Sequence, residues 1–198
     1  MENNKFFEEI KKQVKTILGE KGSHDFSHTE RVYKYSILIS KGLDVDLDIV
    51  KVSALLHDIA RPIEENGKTK DHALQGAVKA RKILEKTNFP KEKIKIVYKC
   101  ILLHNKKEDS PHIKEARILK EADGLETMGA IGIARTFSYL GETNDWNSSS
   151  TKNPLNELIR NLNLNYFQLP IARKLAEKRV KITKDFYDSF IKEYNLKI

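Results

Sequence analysis

Cysteine is almost absent from this sequence. Cys100 is the single cysteine among 198 residues, so the chain cannot form a disulfide bond within itself. A disulfide framework is therefore excluded, and a lone thiol agrees with a reducing compartment. Cys100 lies between Val97 and Ile101 in a helical pattern, which favours a packed thiol over a nucleophile.

Long hydrophobic runs are also missing. A membrane-spanning helix needs about 20 apolar residues, whereas Lys, Asp or His interrupts every apolar stretch here within a few residues. The first nine residues, MENNKFFEE, lack the basic and then apolar pattern of an export signal. The sequence predicts a cytoplasmic protein with no membrane partner.

The formal net charge of +8 would suit an anionic partner. Lysines alternate with Glu and Asp in every segment, which is typical of a solvated helical surface. No block combines aromatic and basic residues as proteins that bind single-stranded nucleic acid do. A small phosphorylated molecule is therefore favoured over a nucleic acid as the partner.

Strand-like alternation is lacking too, and apolar residues recur with a helical period almost throughout. The predicted fold class is all-α, with Asp25 and Asp71 as N-caps of two helices. A third helix is expected over about 47–59, with Pro62 marking its end. Further helices are predicted to follow Pro90 and Pro111 and to cover 125–140, 155–164 and 171–194.

A single domain is expected for a chain of this length. Its core would cover about 20–141, followed by a polar loop over 142–154 and by C-terminal helices over 155–198 that pack on the core. Trp146 in that loop is interpreted either as an anchor for a substrate or partner or as a ring folded onto the surface.

Several residues of metal-ligand type fall where the helical pattern points apolar side chains inward. A charged or titratable group facing a core is costly unless it is paired or binds a metal. A set of such residues spread over four helices predicts a core built around an ion. The set consists of His28, His57, Asp58, His104 and Asp123.

Four of these residues, His28, His57, Asp58 and Asp123, combine two imidazoles with two carboxylates. A mixed nitrogen and oxygen set leaves positions open for water and suits Mn, Fe, Co or Zn, whereas a closed structural zinc site favours cysteine. A divalent ion with open positions suits hydrolysis of a phosphoester or a phosphoanhydride.

The ordered set His28, His57-Asp58 and Asp123 resembles the H…HD…D signature of the HD-domain superfamily of metal-dependent phosphohydrolases. The flanking segments are HDFSHTERV (24–32), ALLHDIAR (54–61) and EADGLETMGAIGIARTFSYLG (121–141). The last segment and the C-terminal portion are similar to a branch of small single-domain proteins that includes nucleoside triphosphate pyrophosphohydrolases. The resemblance covers nearly the whole chain.

The resemblance implies an HD-domain helical bundle whose metal ligands are His28, His57, Asp58 and Asp123. Mn is the favoured ion, with Fe, Co, Ni, Zn and Mg as alternatives. Two further histidines, His72 and His104, occupy places where some HD proteins bind a second metal.

We favour a single metal with His104 near the substrate phosphate; the alternative is a second metal bound by His72 and His104 and bridged by Asp58. The interpretation of His72 is less certain, because its helical neighbours Gln75 and Lys79 are polar. A solvent-exposed position in the first turn of its helix is the other interpretation.

Two arginines are candidates for holding phosphate. Arg31 lies one turn after His28 and would bind a phosphate or form an internal salt bridge. Arg61 stands where many HD proteins carry a lysine, which keeps the charge but changes the geometry of contact. Glu64 and Glu65 follow in what is expected to be a solvated acidic loop, or else they position a water.

The favoured function is a divalent-metal phosphohydrolase that acts on nucleotides or other small phosphorylated molecules, with nucleoside triphosphate pyrophosphohydrolase as the preferred subtype. Asp58 or His104 would transfer protons, and Arg31 or Arg61 would stabilise charge in the transition state.

Two alternatives stay open: a two-metal phosphodiesterase acting on RNA or a cyclic nucleotide, and a non-catalytic protein that binds metal and nucleotide. The oligomeric state is open as well, a homodimer included.

Overall fold

The structure, a computed structural model, describes residues 2–20, 22–106, 112–143 and 154–194, and within these ranges it contains helices and no strand. The all-α prediction is confirmed. Trp146 and most of the predicted polar loop lie outside the described residues. The α-helices are α1 (Glu2–Leu18), α2 (Phe26–Ile39), α3 (Leu47–Leu56), α4 (Arg61–Glu65), α5 (His72–Leu84), α6 (Lys91–Leu103), α7 (Lys114–Gly124), α8 (Gly129–Glu142), α9 (Pro154–Arg160) and α10 (Pro170–Tyr194).

The chain divides into two compact units, Met1–Asp123 and Gly124–Ile198. In the first unit α3 is the central helix, and it packs against α1, α2 and α6 while α5 packs against α6. Val52, Leu55 and Leu56 on α3 have no exposed surface. Most residues of this helix are buried, which explains why it has few polar residues.

Two predicted N-caps are confirmed. The Asp25 carboxylate accepts a hydrogen bond from the backbone N–H of His28 at 3.1 Å, and Asp71 accepts from Leu74 at 3.0 Å. A cap side chain satisfies an N–H group that has no partner within the helix. The caps therefore place His28 in the first turn of α2 and His72 at the first position of α5.

The predicted end of the third helix is wrong. This helix stops at Leu56 with His57 as its C-cap, and residues 57–60 form turns. Pro62 does not end a helix but lies in the first turn of α4, where a missing N–H has no consequence. Because the chain leaves α3 before Asp58, His57 and Asp58 extend beyond the helix end.

Gly76 allows α5 to approach this turn closely. A Cβ atom at Gly76 would lie 3.1 Å from the backbone oxygen of His57, closer than most side-chain contacts in proteins. The absence of a side chain at Gly76 thus lets α5 pack directly against the segment that carries His57.

The second unit consists of α8, α9 and α10 with two 3₁₀ turns, Leu125–Thr127 and Leu164–Tyr166. The helix predicted over 125–140 therefore begins later than expected, at Gly129, whose φ is +73°. The N–H of Gly129 donates to the Thr183 hydroxyl on α10 at 2.7 Å. None of the helices in the described ranges is long and apolar enough to cross a membrane. The expected packing of the C-terminal helices on the core stays a prediction.

Candidate metal centre

Asp58 lies between two pairs of histidines in the first unit. Its buried carboxylate turns Oδ2 toward His28 and His57, whose Nε2 atoms lie 3.6 and 3.5 Å away. Oδ1 faces His72 and His104, with Nε2 atoms at 3.7 and 3.6 Å. Each oxygen of a single carboxylate thus faces two imidazole nitrogens. We call these five residues, together with Asp123, the Asp58 cluster.

Two histidines of the Asp58 cluster are oriented by the backbone. The Nδ1 of His57 donates to the Ala54 carbonyl at 2.9 Å, and the Nδ1 of His104 donates to the Ile101 carbonyl at 2.6 Å. A carbonyl oxygen can only accept, so the proton of each neutral ring lies on Nδ1. The Nε2 atoms of both rings therefore present lone pairs to Asp58, as a metal ligand must.

Asp123, the last residue of the first unit, completes the cluster. Its Oδ1 lies 3.4 Å from the Nε2 of His28 and 4.0 Å from that of His57. The Nε2 atoms of His28 and His57 lie 3.3 Å apart. The four residues that the H…HD…D pattern selects are thus brought together from two helices and one turn.

His72 is buried, and the alternative of a solvent-exposed position is wrong. Only 6% of its surface is exposed, and its ring centroid lies 5.3 Å from that of His104. The buried face of α5 passes through Gly76, four residues later, and not through Gln75, which is exposed. Gln75 therefore lies on another side of the helix than His72.

Arg61 and Glu64 are not members of the Asp58 cluster, but they contact two of its residues, Asp58 and His72. The Nε of Arg61 donates to Asp58 Oδ1 at 3.1 Å, and its Nη1 donates to Glu64 Oε2 at 2.9 Å. The same Glu64 oxygen lies 2.9 Å from His72 Nδ1. Glu65 is 53% exposed, whereas Glu64 is 27% exposed. The expected acidic loop is wrong, because both residues lie in α4; the expected solvation fits Glu65 but not Glu64.

The other candidate arginine lies on α2. Arg31 donates through Nη1 to the Ser27 hydroxyl at 3.0 Å, and that hydroxyl donates to the Asp25 carboxylate at 2.6 Å. The side chain is thus tied to the first turn of its own helix. Contact of Arg31 with phosphate stays a prediction, as does that of Arg61.

Burial and charge set the protonation states in the cluster. Burial lowers the pKa of His57 to about 4, although the Asp58 charge acts to raise it. Burial alone would raise the pKa of Asp58, but the charges of His57 and Arg61 hold it well below its usual range. Burial would lower the pKa of His104, yet the charge of the nearby Asp58 carboxylate acts to raise it, and the pKa is raised overall. At neutral pH the centre therefore contains an ionised carboxylate beside a neutral His57.

The donor atoms fit a divalent cation. Ligands bound at about 2.1 Å around one ion are separated by about 3.0–3.4 Å, and the distances above are close to that spacing. Two groups of three residues each have ligand atoms that lie within 4.8 Å of one another. The first group is His28, His57 and Asp58, and the second is Asp58, His72 and His104. The Nε2 of His104 is buried with no hydrogen-bond partner among the described residues. A buried lone pair without a partner is costly, and a cation would satisfy it.

A sequence model of the HD domain family matches residues 25–128. YpgQ of Bacillus subtilis (strain 168), described as an uncharacterised protein, is 29% identical over 147 residues, which cover 71% of this chain and 69% of YpgQ.

Solved structures share the fold. A predicted HD superfamily hydrolase from an uncultured Thermotogales bacterium is 31% identical, with a TM-score of 0.69, and the match covers 94% of this chain and 92% of that one. An HD-superfamily hydrolase from Bacillus thuringiensis is 28% identical, with a TM-score of 0.73 and 98% of each chain covered. A structure of B. subtilis YpgQ in complex with ADP has a TM-score of 0.75, with 94% of this chain and 97% of that chain covered; at 24% identity this likeness shows the fold alone.

Proposed function

This chain belongs to the HD-domain family of metal-dependent hydrolases, and we propose that its substrate is a nucleotide, with cleavage of a nucleoside triphosphate to monophosphate and pyrophosphate as the reaction. The observation that carries the proposal is the buried Asp58 carboxylate with two imidazole nitrogens facing each oxygen. The nucleotide class is supported by YpgQ, a relative that has been crystallised with ADP.

The ion would be held by His28, His57, Asp58 and Asp123. When bound, a divalent cation polarises phosphoryl oxygens and lowers the pKa of water. Two residues have the protonation state that a metal ligand needs. Asp58 is ionised because its pKa is lowered, and His57 is neutral at pH 7 because its pKa is about 4. We propose Mn as the ion, since open sites of mixed nitrogen and oxygen ligands accept it.

Arg61 is the residue we propose to contact the substrate phosphate. Its contacts with Asp58 and Glu64 use Nε and Nη1, and Nη2 takes no part in them. The side chain is 22% exposed, so part of it is open to solvent. Because that group presents a planar fork of donors and is always charged, it can stabilise charge that develops on a phosphoryl group.

His104 is the residue we propose to hold a proton during the reaction. Burial lowers its pKa, but the larger combined influence of Asp58 and Asp123 raises it above the usual value. An Nε2 proton would point toward Asp58 Oδ1, 3.6 Å away. A histidine whose pKa is raised holds its proton more firmly and can donate it to a leaving group.

The test is a measurement of products. The purified full-length protein is incubated with the common ribo- and deoxyribonucleoside triphosphates in Mn, Co, Ni or Mg, and both phosphate and pyrophosphate are quantified. We expect pyrophosphate and nucleoside monophosphate in equal amounts. No release from any nucleotide, with metal shown to be bound, would overturn the nucleotide proposal.

A second candidate is a two-metal phosphodiesterase acting on RNA or a cyclic nucleotide. It is favoured by the buried second group, in which His72 and His104 face Asp58 Oδ1. Elemental analysis that gives two metals per chain, reduced to one in His72→Ala, together with hydrolysis of a cyclic dinucleotide, would support it. One metal per chain in both proteins would count against it.

A further inference from the structure

His72 differs from the other inward-facing histidines in what orients its ring. His57 and His104 end their helices, so each can donate to a carbonyl three residues earlier. His72 is the first residue of α5, and the residues before it lie outside any helix. The helical carbonyls of α5 point toward the opposite end of that helix. The ring of His72 therefore needs a side chain to fix its proton.

Glu64 is placed to be that side chain. Its Oε2 lies 2.9 Å from His72 Nδ1, although the ring N–H does not point along this line. That Nδ1 is buried and has no hydrogen bond within the described residues, and buried donors in proteins are almost always paired. A ring orientation that aligned the N–H with the carboxylate would form the missing hydrogen bond.

The charge state and position of Glu64 suit this role. The positive charge of Arg61 lies beside the Glu64 carboxylate and favours its ionised form. Arg61 Nη1 donates to the same oxygen at 2.9 Å. Glu64 is thereby held in place by a residue that itself contacts Asp58.

The other nitrogen of the ring gives independent support. His72 Nε2 lies 3.4 Å from the side-chain nitrogen of Asn105 and 3.7 Å from Asp58 Oδ1. An amide N–H₂ group can only donate, so its approach to Nε2 requires a lone pair there. A neutral imidazole with a lone pair on Nε2 carries its proton on Nδ1, beside Glu64.

We propose that Glu64 is a positioning residue that holds the proton of His72 on Nδ1 and thereby keeps the Nε2 lone pair directed toward Asp58. Glu64 lies outside the H…HD…D signature. Carboxylates that orient a metal-binding histidine in this way typically contribute about 10- to 100-fold to metal affinity. Only this consequence for metal binding rests on the proposed function, in the two-metal form in which His72 and His104 bind the second ion; the position of the proton does not.

The first test is an NMR measurement on the metal-free full-length protein labelled with ¹⁵N-histidine. At pH 7.5 the wild type should show His72 as the Nδ1–H tautomer, assigned by its loss in His72→Gln. In Glu64→Ala the ring should become a mixture of both tautomers. Glu64→Gln, whose amide oxygen can accept from Nδ1, should restore much of the wild-type pattern.

The matched control is Glu65→Ala. Glu65 is the neighbouring acid and is 53% exposed, so its removal should leave the His72 signals unchanged. An unchanged Nδ1–H tautomer in Glu64→Ala, with circular dichroism showing a folded protein, would overturn the proposal. If Glu64→Ala fails to fold, the wild-type spectrum alone tests the proposal. An Nε2–H tautomer of His72 in the wild type would overturn it.

Metal binding is the second test. Calorimetric titration with Mn²⁺ should show affinity about 10- to 100-fold weaker in Glu64→Ala than in Glu65→Ala. Equal affinities would contradict the predicted effect of Glu64 on the metal. A protein that hydrolyses no nucleotide but shows the expected tautomers would refute the proposed function and leave the role of Glu64 intact.

Discussion

His57 and His104 adopt the same arrangement at the ends of two different helices. Each is a helix C-cap and each donates from Nδ1 to the carbonyl three residues earlier. Their ring centroids lie 5.3 Å apart with an interplanar angle of 80°. The Nε2 of His57 approaches Asp58 Oδ2, and that of His104 approaches Oδ1. The backbone thus orients two imidazoles toward opposite oxygens of one carboxylate before any ion binds.

Asp58→Asn should abolish stabilisation by metal. In the wild type, Mn²⁺ at about 100 times its dissociation constant should add about 2.7 kcal/mol to the free energy of unfolding, and a chelator should reverse this. Because the amide has no charge and one oxygen in place of two, the variant should show little shift. Thermal melting with and without Mn²⁺ measures the difference, and hydrolase activity should fall by more than about 100-fold.

The control for this substitution is Asp185→Asn, a change at an exposed carboxylate on α10. It should retain the full melting shift and the activity. A melting shift in Asp58→Asn equal to that in the control would contradict the assignment of Asp58 as a ligand.

The metal-free protein should lose stability as the pH falls from about 6.5 to about 4. Burial lowers the pKa of His57 to about 4 and also lowers that of His72, so in this range the unfolded chain binds protons that the folded chain does not. His104 acts in the opposite direction, because Asp58 outweighs burial and raises its pKa. Because His57 has the large shift, to about 4, urea unfolding should give decreasing free energies of unfolding across this window. A constant or rising value would contradict the prediction.

Gly76→Ala should disturb the turn that carries His57. The added Cβ would lie 3.1 Å from the His57 oxygen, and crowding of this kind in a packed interior typically costs about 1–3 kcal/mol. Gly141→Ala on α8 is the control, because nothing lies within 4 Å of a Cβ there. Alanine should stabilise that helix by about 0.5–1 kcal/mol. Urea unfolding should therefore give a lower free energy of unfolding for Gly76→Ala and a higher one for Gly141→Ala than for the wild type. Equal changes in the two variants would refute the close approach at Gly76.

Cys100 should not react with thiol reagents in the folded protein. Its side chain is buried, and burial raises the pKa of the thiol to about 12. The thiolate is the reactive form, so at pH 8 it is scarce as well as inaccessible. Alkylation by iodoacetamide, followed by mass spectrometry, should be slow in buffer and rapid in urea. Rapid labelling without denaturant would show that α6 opens or that the thiol is exposed.

Local features of the fold could be predicted from the sequence because they depend on neighbouring residues. Asp25 and Asp71 were identified as N-caps since a short acidic side chain before an apolar helical pattern satisfies the first N–H groups. The end of α3 was missed because Pro62 fits either after a helix or in the first turn of the next one. Which of these applies depends on how His57 and Asp58 pack, and that is not local.

The sequence by itself determined the helical class and the ordered ligand types His28, His57-Asp58 and Asp123. The spacing of apolar residues and the chemistry of each side chain do not depend on how the chain folds. Only the tertiary structure decided that His72 is buried opposite Asp58 Oδ1 and that Glu64, not Glu65, lies beside it. Adjacent glutamates are chemically identical in sequence. Their difference arises from the direction in which α4 turns each side chain, toward α5 for one and toward solvent for the other.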